Sequence, residues 1–598
     1  MKPYDKSPLQ DITTTSSDFN EIRDEGFLLV DKTARINDLI RESRIFLSRP
    51  RRFGKSLLLS TINELFTNGV TNFEGLAIHD VWQQERYPVV KLSFFGLSDP
   101  TTLERKLCDR LRESFAGAGF DAAFDIAPQS NTISALTTRL NYLRGQQKIV
   151  LLIDEWDFPL SSHLNDRAAF EKNKEILNQF YAWIRDLANI KFLLVTGIAR
   201  YQETSLFTGQ TVTDISMDPR FADLLGYTQD EVEDYFAEHI KEAAARLKIS
   251  TDELCHKLAV YYDGFCFDYK AKLRLYCPIS INKFFKQVVD TPAEVPTFGY
   301  YWMESSNTAQ ALRTFLARVR LKSDFIDQVQ GSGVVLSQTD ISSANSYESI
   351  NFKALLVQTG YLSIDSIKNP DEVSQDDRIC CCKFPNLEVK QRYVNILLRY
   401  LTGAYEKSSQ SSWFTENAER LKAALLQQNM EQVVVALNLF LRALPYDVWS
   451  NAPEMFYRTC IAWSLICSLR DDVQQETQNN KGRSDLEFNA GNYHYVVELK
   501  RFVPNQGQEK DREQVRGDLR LLADKAQQQV YERGYGFNAQ VGVELPRLGL
   551  ALVVSTESRQ IEYWRYFNGD GVIAEGMVEP ISMKNPPQLD APDTKVQD

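Results

Sequence analysis

Two short stretches of this chain hold residue types whose spacing could do phosphate chemistry. Near the N-terminus, "SRPRRFGKSLLLS" (48–60) contains Gly54, Lys55 and Ser56, the close of the G-x-x-x-x-G-K-[ST] pattern, with Arg49 where the first glycine normally stands. Unpaired N–H groups at a helix start attract an anion, an ammonium such as that of Lys55 reaches terminal phosphates, and a hydroxyl such as that of Ser56 can ligate magnesium. Near the C-terminus, "GRSDLEFNAGNYHYVVELKRF" (482–502) carries Asp485, Glu498 and Lys500. Two carboxylates and an amine gathered at one end of a hairpin can bind a divalent cation, align a water and stabilise charge on a phosphodiester.

The N-terminal loop needs partners. "KIVLLIDEWDFPL" (148–160) begins with a continuous apolar run, the mark of a strand buried on both faces, and acids follow at its C-terminal end, where parallel sheets bind ligands. Asp154 would hold the magnesium shell, and Glu155 would orient or polarise an attacking water. A third strand, "KFLLVTGIARY" (191–201), places Thr196 to touch that water or the terminal phosphate, and Arg200 to face the phosphates. Arg49 and Pro50 change the entry of the loop, which acquires Arg49, Arg51 and Arg52 in place of flexible glycine. The bland alternative is an ordinary strand-to-helix turn with basic residues and solvated acids.

In the C-terminal stretch, Ser484–Phe488 and Tyr493–Leu499 read as strands around the turn Asn489-Ala490-Gly491-Asn492. Folding about Gly491 sets Asp485 opposite Val497, one residue from Glu498, while Glu498 and Lys500 share a face. The pattern D-x(12)-E-x-K is that of the PD-(D/E)XK nucleases, although a bare E-x-K strand is also what a solvated edge looks like. Upstream, "PEMFYRTCIAWSLICSL" (453–469) reads as a helix that brings Glu454 to the metal. Downstream, "ADKAQQQVYERGYG" (523–536) reads as a helix carrying Gln529, with the strand "LGLALVVST" after it.

The elements around these sites follow from length and pattern. A chain of 598 residues predicts two to four domains at roughly 100–200 residues each. Its first 290 residues alternate short apolar runs with amphipathic stretches, which predicts a parallel sheet with crossover helices. Residues 391–480 carry a leucine stripe at helical spacing, "ERLKAALLQQNMEQVVVALNLFLRAL" being the clearest part, and it reads as core. The net charge, 68 − 80 = −12, argues against a general electrostatic grip on nucleic acid but not against a local basic groove. Five scattered histidines make a His-based zinc site a poor fit, so any metal should sit on carboxylates. Nine cysteines without a C-x-x-C pair, no signal-like N-terminus and no apolar run of about 18 residues lead to the expectation of a reduced, cytoplasmic protein.

"FLLVDKTARINDLI" (27–40), "RPRRFGKS", "LLIDEWDFPL", "VTGIARYQETSLFTG" and "LLGYTQDEVEDYF" resemble the predicted AAA-ATPase-like family of bacterial P-loop proteins, in which RPRRFGKS is the usual form of the loop. "YYDGFCFD" (261–268) and "LYCPISINKFF" (275–285) resemble that family's small helical segment. The αβββαβ order at the C-terminus resembles the nuclease domain that commonly follows it. The resemblance implies an α/β multidomain protein: a P-loop NTPase core at 1–215 and a helical lid at 216–300. A mixed, mainly helical connector at 301–440, a restriction-endonuclease-like domain at 441–580 and a disordered tail at 581–598 would complete it.

It also implies that Arg52, Gly54, Lys55, Ser56, Asp154 and Thr196 bind ATP. Ser56, Asp154, Asp485, Glu498 and Glu454 would hold Mg²⁺ or Mn²⁺, and Glu155, Asp485, Glu498 and Lys500 would be catalytic. The expected function is an ATP-binding and hydrolysing module that regulates a metal-dependent nuclease. Its polymer would be nucleic acid, DNA ahead of RNA, with no membrane partner and with homo-oligomerisation open. The competing reading is a nucleotide-switched factor that binds nucleic acid or protein without cutting, and a third is a bare ATPase with a structural C-terminal domain.

Overall fold

The computed structural model describes residues 9–579 apart from 121–131, 141–146, 202, 209–210, 303–311, 313–332, 343–346, 348–350, 369–377, 405–407, 445–452, 471–472, 476–477, 480–481, 505–511 and 535–544. The expected tail at 581–598 lies outside the described residues. The chain divides into two compact units, Met1–Arg320 with Gly333–Arg392, and one built on Tyr393–Asp598.

In the first unit, strands β1 (Arg44–Ser48), β2 (Val89–Ser93), β3 (Ile149–Asp154), β4 (Ile190–Gly197) and β5 (Thr213–Asp214) form one sheet in the order β2-β3-β4-β1-β5. All four pairings are parallel. The unbroken apolar runs are explained by cover on both faces. Ile149, Leu151, Ile153, Leu193 and Val195 point into one core, while Val150, Leu152, Phe192 and Leu194 point into the other. The helix Lys55–Asn68 follows β1 directly, and β4 separates β1 from β3, so the ends of all three converge.

After the sheet, helices Gln229–Tyr235, Ala237–Leu247, Thr251–Tyr262 and Pro278–Asp290 pack around Phe236, Tyr262, Phe284 and Phe285. A capping box between Thr228 and Glu231 starts the first of them. Strands β6 (Val334–Ser337), β7 (Ser363–Lys368) and β8 (Ile379–Lys383) make a small antiparallel sheet in the order β6-β8-β7. Cys380, Cys381 and Cys382 lie on β8, and all nine cysteines are free thiols.

The second unit holds β9 (Val473–Gln475), the two-residue pair β10 (Gln478–Asn479) and β11 (Gly482–Arg483), then β12 (Leu486–Ala490), β13 (Tyr493–Phe502), β14 (Arg547–Ser555), β15 (Gln560–Asn568) and β16 (Gly571–Met577). Six of these strands form a mixed sheet, β16-β15-β14-β13-β12-β9. The meander β9, β12, β13 is antiparallel, and the helix Arg512–Arg533 crosses over to β14, which runs parallel to β13. With the helix Glu454–Leu469 in front, this is the expected αβββαβ order. The leucine stripe resolves into two helices, Ser408–Leu426 and Met430–Ala443, split where Gln428 takes φ +56° and Asn429 caps the second. Among the described residues no helix is long and apolar enough to cross a membrane.

Candidate functional site

The first site is a cavity of about 420 Å³ at the C-terminal edge of the parallel sheet, lined by Arg52, Gly54, Lys55, Ser56, Asp154 and Glu155, within the usual size range of a small-ligand pocket. The strand β1 hands the chain to the loop, and Gly54, at φ +90°, turns it into the helix Lys55–Asn68 without the penalty a side chain would carry there. Ser56 Oγ donates to Asp154 Oδ2 at 2.7 Å, and Thr196 Oγ1 donates to Asp154 Oδ1 at 2.6 Å. Thr196 is fully buried and absent from the cavity lining, so it reaches a ligand there only through Asp154.

Glu155 sits at φ +52°, a conformation that costs a non-glycine residue about 1–3 kcal/mol and that concentrates at functional sites. Its Oε2 is buried without a hydrogen-bond partner, and burial followed by the charge of Asp154 pushes its carboxyl above the ordinary glutamate range. Lys55 is buried, and its Nζ donates to the carbonyls of Arg49 and Pro50, both at 2.8 Å. Burial pulls its ammonium down to about 8 against the opposing pull of Asp154, Asp157 and Glu155.

Arg49 does not face the cavity. Its guanidinium is 1 % exposed, donates to the carbonyls of Ser48, Ser216 and Phe221, and lies 4.3 Å over the ring of Phe267. Burial brings its pKa down to about 9. The residue that replaces the expected glycine is thus an internal staple, and the loop is stiffened by what surrounds it. Trp302 Nε1 donates to Arg51 O at 3.0 Å, Cys277 Sγ to Arg52 O at 3.7 Å, and Phe53 packs edge-on against Phe265 and Phe267. Arg200 does not face phosphates either. It pairs with Asp214 at 2.9 Å and stacks 4.8 Å from the Phe207 ring, because the chain turns back toward β5 after β4. Sequence reasoning missed Asp157, which accepts from Ile198 N and Ala199 N and so fixes the turn after Thr196; the third acid in "DEWD" was the available signal.

The second site lies on one face of the β12–β13 hairpin. The register is one residue away from the expected one: Leu486 pairs with Val497 and Ala490 with Tyr493, so the connection is the two residues Gly491-Asn492, with Gly491 at φ +59°. A two-residue loop is favoured because its twist matches that of the strands. Continuing this register sets Asp485 directly opposite Glu498. Glu498 is 2 % exposed, with Oε1 accepting from Lys500 Nζ at 2.8 Å and Oε2 without a partner. Burial and then the neighbouring Asp485 raise its carboxyl pKa, and Lys500 opposes them.

Lys500 Nζ also donates to Gln529 Oε1 at 3.0 Å, so the helix Arg512–Arg533 brings Gln529 to the site. Glu454, at the start of its helix, accepts from Arg501 N at 3.1 Å. Asp485 Oδ2 accepts from Leu499 N at 2.7 Å, and Asp485 Oδ1 pairs with Arg458 at 3.1 Å. Arg458 was not foreseen, although it stands four residues after Glu454 and therefore on the same helical face.

The bare, buried oxygen of Glu498 fits a cation, as does the Ser56–Asp154 pair, whose shared proton contact two metal–oxygen bonds would replace. Among the described residues no three His, Cys, Asp or Glu side chains converge into a metal cage. A magnesium-like ion, which keeps several waters and needs only one or two carboxylates, suits such a site.

Fold and site together define an ATPase-like module followed by a nuclease-like module. Residues 14–207 match the family model described as predicted AAA-ATPase, and residues 452–564 match that of the PD-(D/E)XK nuclease superfamily, so the chain joins these two kinds of region. The chain is also similar to an uncharacterized protein of the vnfD 5' region from Azotobacter chroococcum mcd 1. The two are 28% identical over 494 residues, which is 81% of this chain and 87% of that one.

Proposed function

We propose that the protein binds and hydrolyses ATP and thereby regulates a C-terminal, divalent-metal-dependent nuclease that cleaves phosphodiester bonds. The observation that carries the nuclease half is Glu498: a buried carboxylate opposite Asp485, one oxygen on Lys500 and the other unpartnered. A bound Mg²⁺ or Mn²⁺ would supply Lewis acidity at the phosphoryl oxygen and an activated water. Asp485 and Glu498 would hold it, with Glu454, whose charge acts on Glu498, close by. Lys500, kept in place by Gln529, would stabilise charge that builds on the phosphoryl group.

In the N-terminal site, Gly54 and the helix start would receive the phosphates, Lys55 would leave the loop carbonyls to meet them, and Ser56 with Asp154 would hold the ion. Glu155, poised by its backbone and its unpartnered oxygen, would orient the water. The next carbonyl of the loop, that of Arg51, is braced by Trp302, whose backbone N donates to the fully buried Glu388 at 2.7 Å, at the start of the helix Leu387–Leu401. That hydrogen-bonded chain supports regulation, because a change at the loop has a path to the segment leading into the second unit.

The test is cleavage of plasmid, linear duplex, single-stranded DNA and RNA with Mg²⁺ or Mn²⁺, with and without ATP, beside Glu498→Ala and Lys55→Ala. Cutting lost in Glu498→Ala and altered in Lys55→Ala is the expected result. Cutting that ignores Lys55→Ala removes the regulation. One observation favours the non-cleaving, nucleotide-switched reading: Asp485 is already neutralised by Arg458. No cutting of any polymer, with ATP still bound, would decide for it.

A further inference from the structure

We propose that Arg458 is a positioning residue that occupies the cation's place on Asp485, so that a divalent ion enters the second site only by displacing an internal competitor. The inference rests on the metal-dependent reading of that site. The two facing carboxylates are unequal. Glu498 presents a bare oxygen, whereas both oxygens of Asp485 are engaged, Oδ2 by Leu499 N at 2.7 Å and Oδ1 by the guanidinium of Arg458 at 3.1 Å.

The two contacts on Asp485 differ in kind. The Leu499 N–H is fixed by β13 and carries no net charge, so it can remain while the carboxylate ligates an ion. The guanidinium is a full positive charge at hydrogen-bond distance from Asp485 Oδ1, on the carboxylate that the register sets opposite Glu498. A second cation on that oxygen would sit a few ångströms from it, and in a site where Arg458 is 11% and Asp485 15% exposed, water screens the repulsion poorly. The pair must therefore open as the ion binds. Arg458 can do so because it reaches Asp485 on a long, rotatable stem from the helix Glu454–Leu469. Lys500 is not in this position: it bonds Glu498 through Oε1, leaving Oε2 bare, and is shared with Gln529.

The consequence is opposite to that of an ordinary supporting residue. Removing a group that merely orients a metal ligand weakens metal binding. Removing a competitor tightens it. Mn²⁺ binding to the full chain without nucleotide, followed by the electron-spin-resonance signal of free Mn²⁺, reads this directly. The component abolished by Glu498→Gln reports the second site.

In Arg458→Met that component should bind about tenfold tighter, the scale of one charge-assisted hydrogen bond returned to the ion. In Arg458→Lys, whose shorter point charge pairs less well, it should be intermediate. The metal-free Arg458→Met protein should also melt below wild type, since Asp485 loses its partner, and saturating Mn²⁺ should close that gap. Affinity that is unchanged or weaker in both Arg458 variants, with binding still lost in Glu498→Gln, overturns the competition and leaves the metal site standing. No Mn²⁺ component sensitive to Glu498→Gln in any form overturns both.

Discussion

The buried ammonium of Lys55 makes nucleotide affinity depend on pH in a direction that can be worked out beforehand. With a pKa brought down to about 8 by burial, Lys55 is charged in about ten molecules of eleven at pH 7 and in about one of eleven at pH 9. Phosphate oxygens demand the charged form. Above pH 8 the empty protein must therefore take up a proton as it binds, and below pH 7 it need not. The Kd for ATP should rise about tenfold from pH 7 to pH 9, ~1.4 kcal/mol, with uptake of about half a proton per nucleotide at pH 8. The nucleotide contributes nothing in this window, because a terminal phosphate has lost its second proton near pH 6.

Titration with a fluorescent ATP analogue across pH gives the first quantity. Calorimetry in buffers of different ionisation enthalpy gives the second. Lys55→Arg, which stays charged throughout, should flatten the profile. A wild-type profile flat between pH 7 and 9 with no proton uptake would mean that Lys55 is either charged already throughout or does not meet the phosphate, and would rule out the pH dependence.

Three further outcomes follow from single contacts. Glu155→Gln should keep ATP binding, since the acid donates nothing to the phosphates, yet lower turnover by at least about 10²-fold, the usual contribution of a group that positions and polarises water; undiminished release of phosphate would exclude that role. Gly197→Ala should lower the urea midpoint by the equivalent of about 1–3 kcal/mol, because the new methyl would lie 2.3 Å from Trp156 Cδ1 and 2.6 Å from Asp157 Oδ1; a midpoint equal to wild type would contradict that packing. Arg49→Gly restores the general form of the phosphate loop and should nevertheless destabilise the first unit by at least about 2 kcal/mol, because the carbonyls of Ser216 and Phe221 lose a buried, charged donor. Thermal unfolding of the variant with stability at or above wild type would show that the staple contributes nothing.

Features that depend on local order are legible along the chain. An unbroken apolar run such as Ile149–Ile153 must be a strand with cover on both faces, Gly54-Lys55-Ser56 must open a helix after β1, and the alternation of strand side chains must put Glu498 and Lys500 on one face. The hairpin's existence was legible from Asn489-Ala490-Gly491-Asn492. Its register was not, since one residue more or less in the turn is decided by backbone twist.

Contacts between segments far apart in the chain were set by the tertiary structure alone. Nothing near Arg49 announces the carbonyls of Ser216 and Phe221 or the ring of Phe267, which turn a departure from the phosphate-loop pattern into a buried anchor. Nor does Asp485 reveal that Arg458, 27 residues earlier, neutralises it. Periodicity and turn chemistry act over a few residues and can be read in one dimension. Burial, and with it the pKa values of Lys55 and Glu498, exists only once distant elements have closed around a side chain.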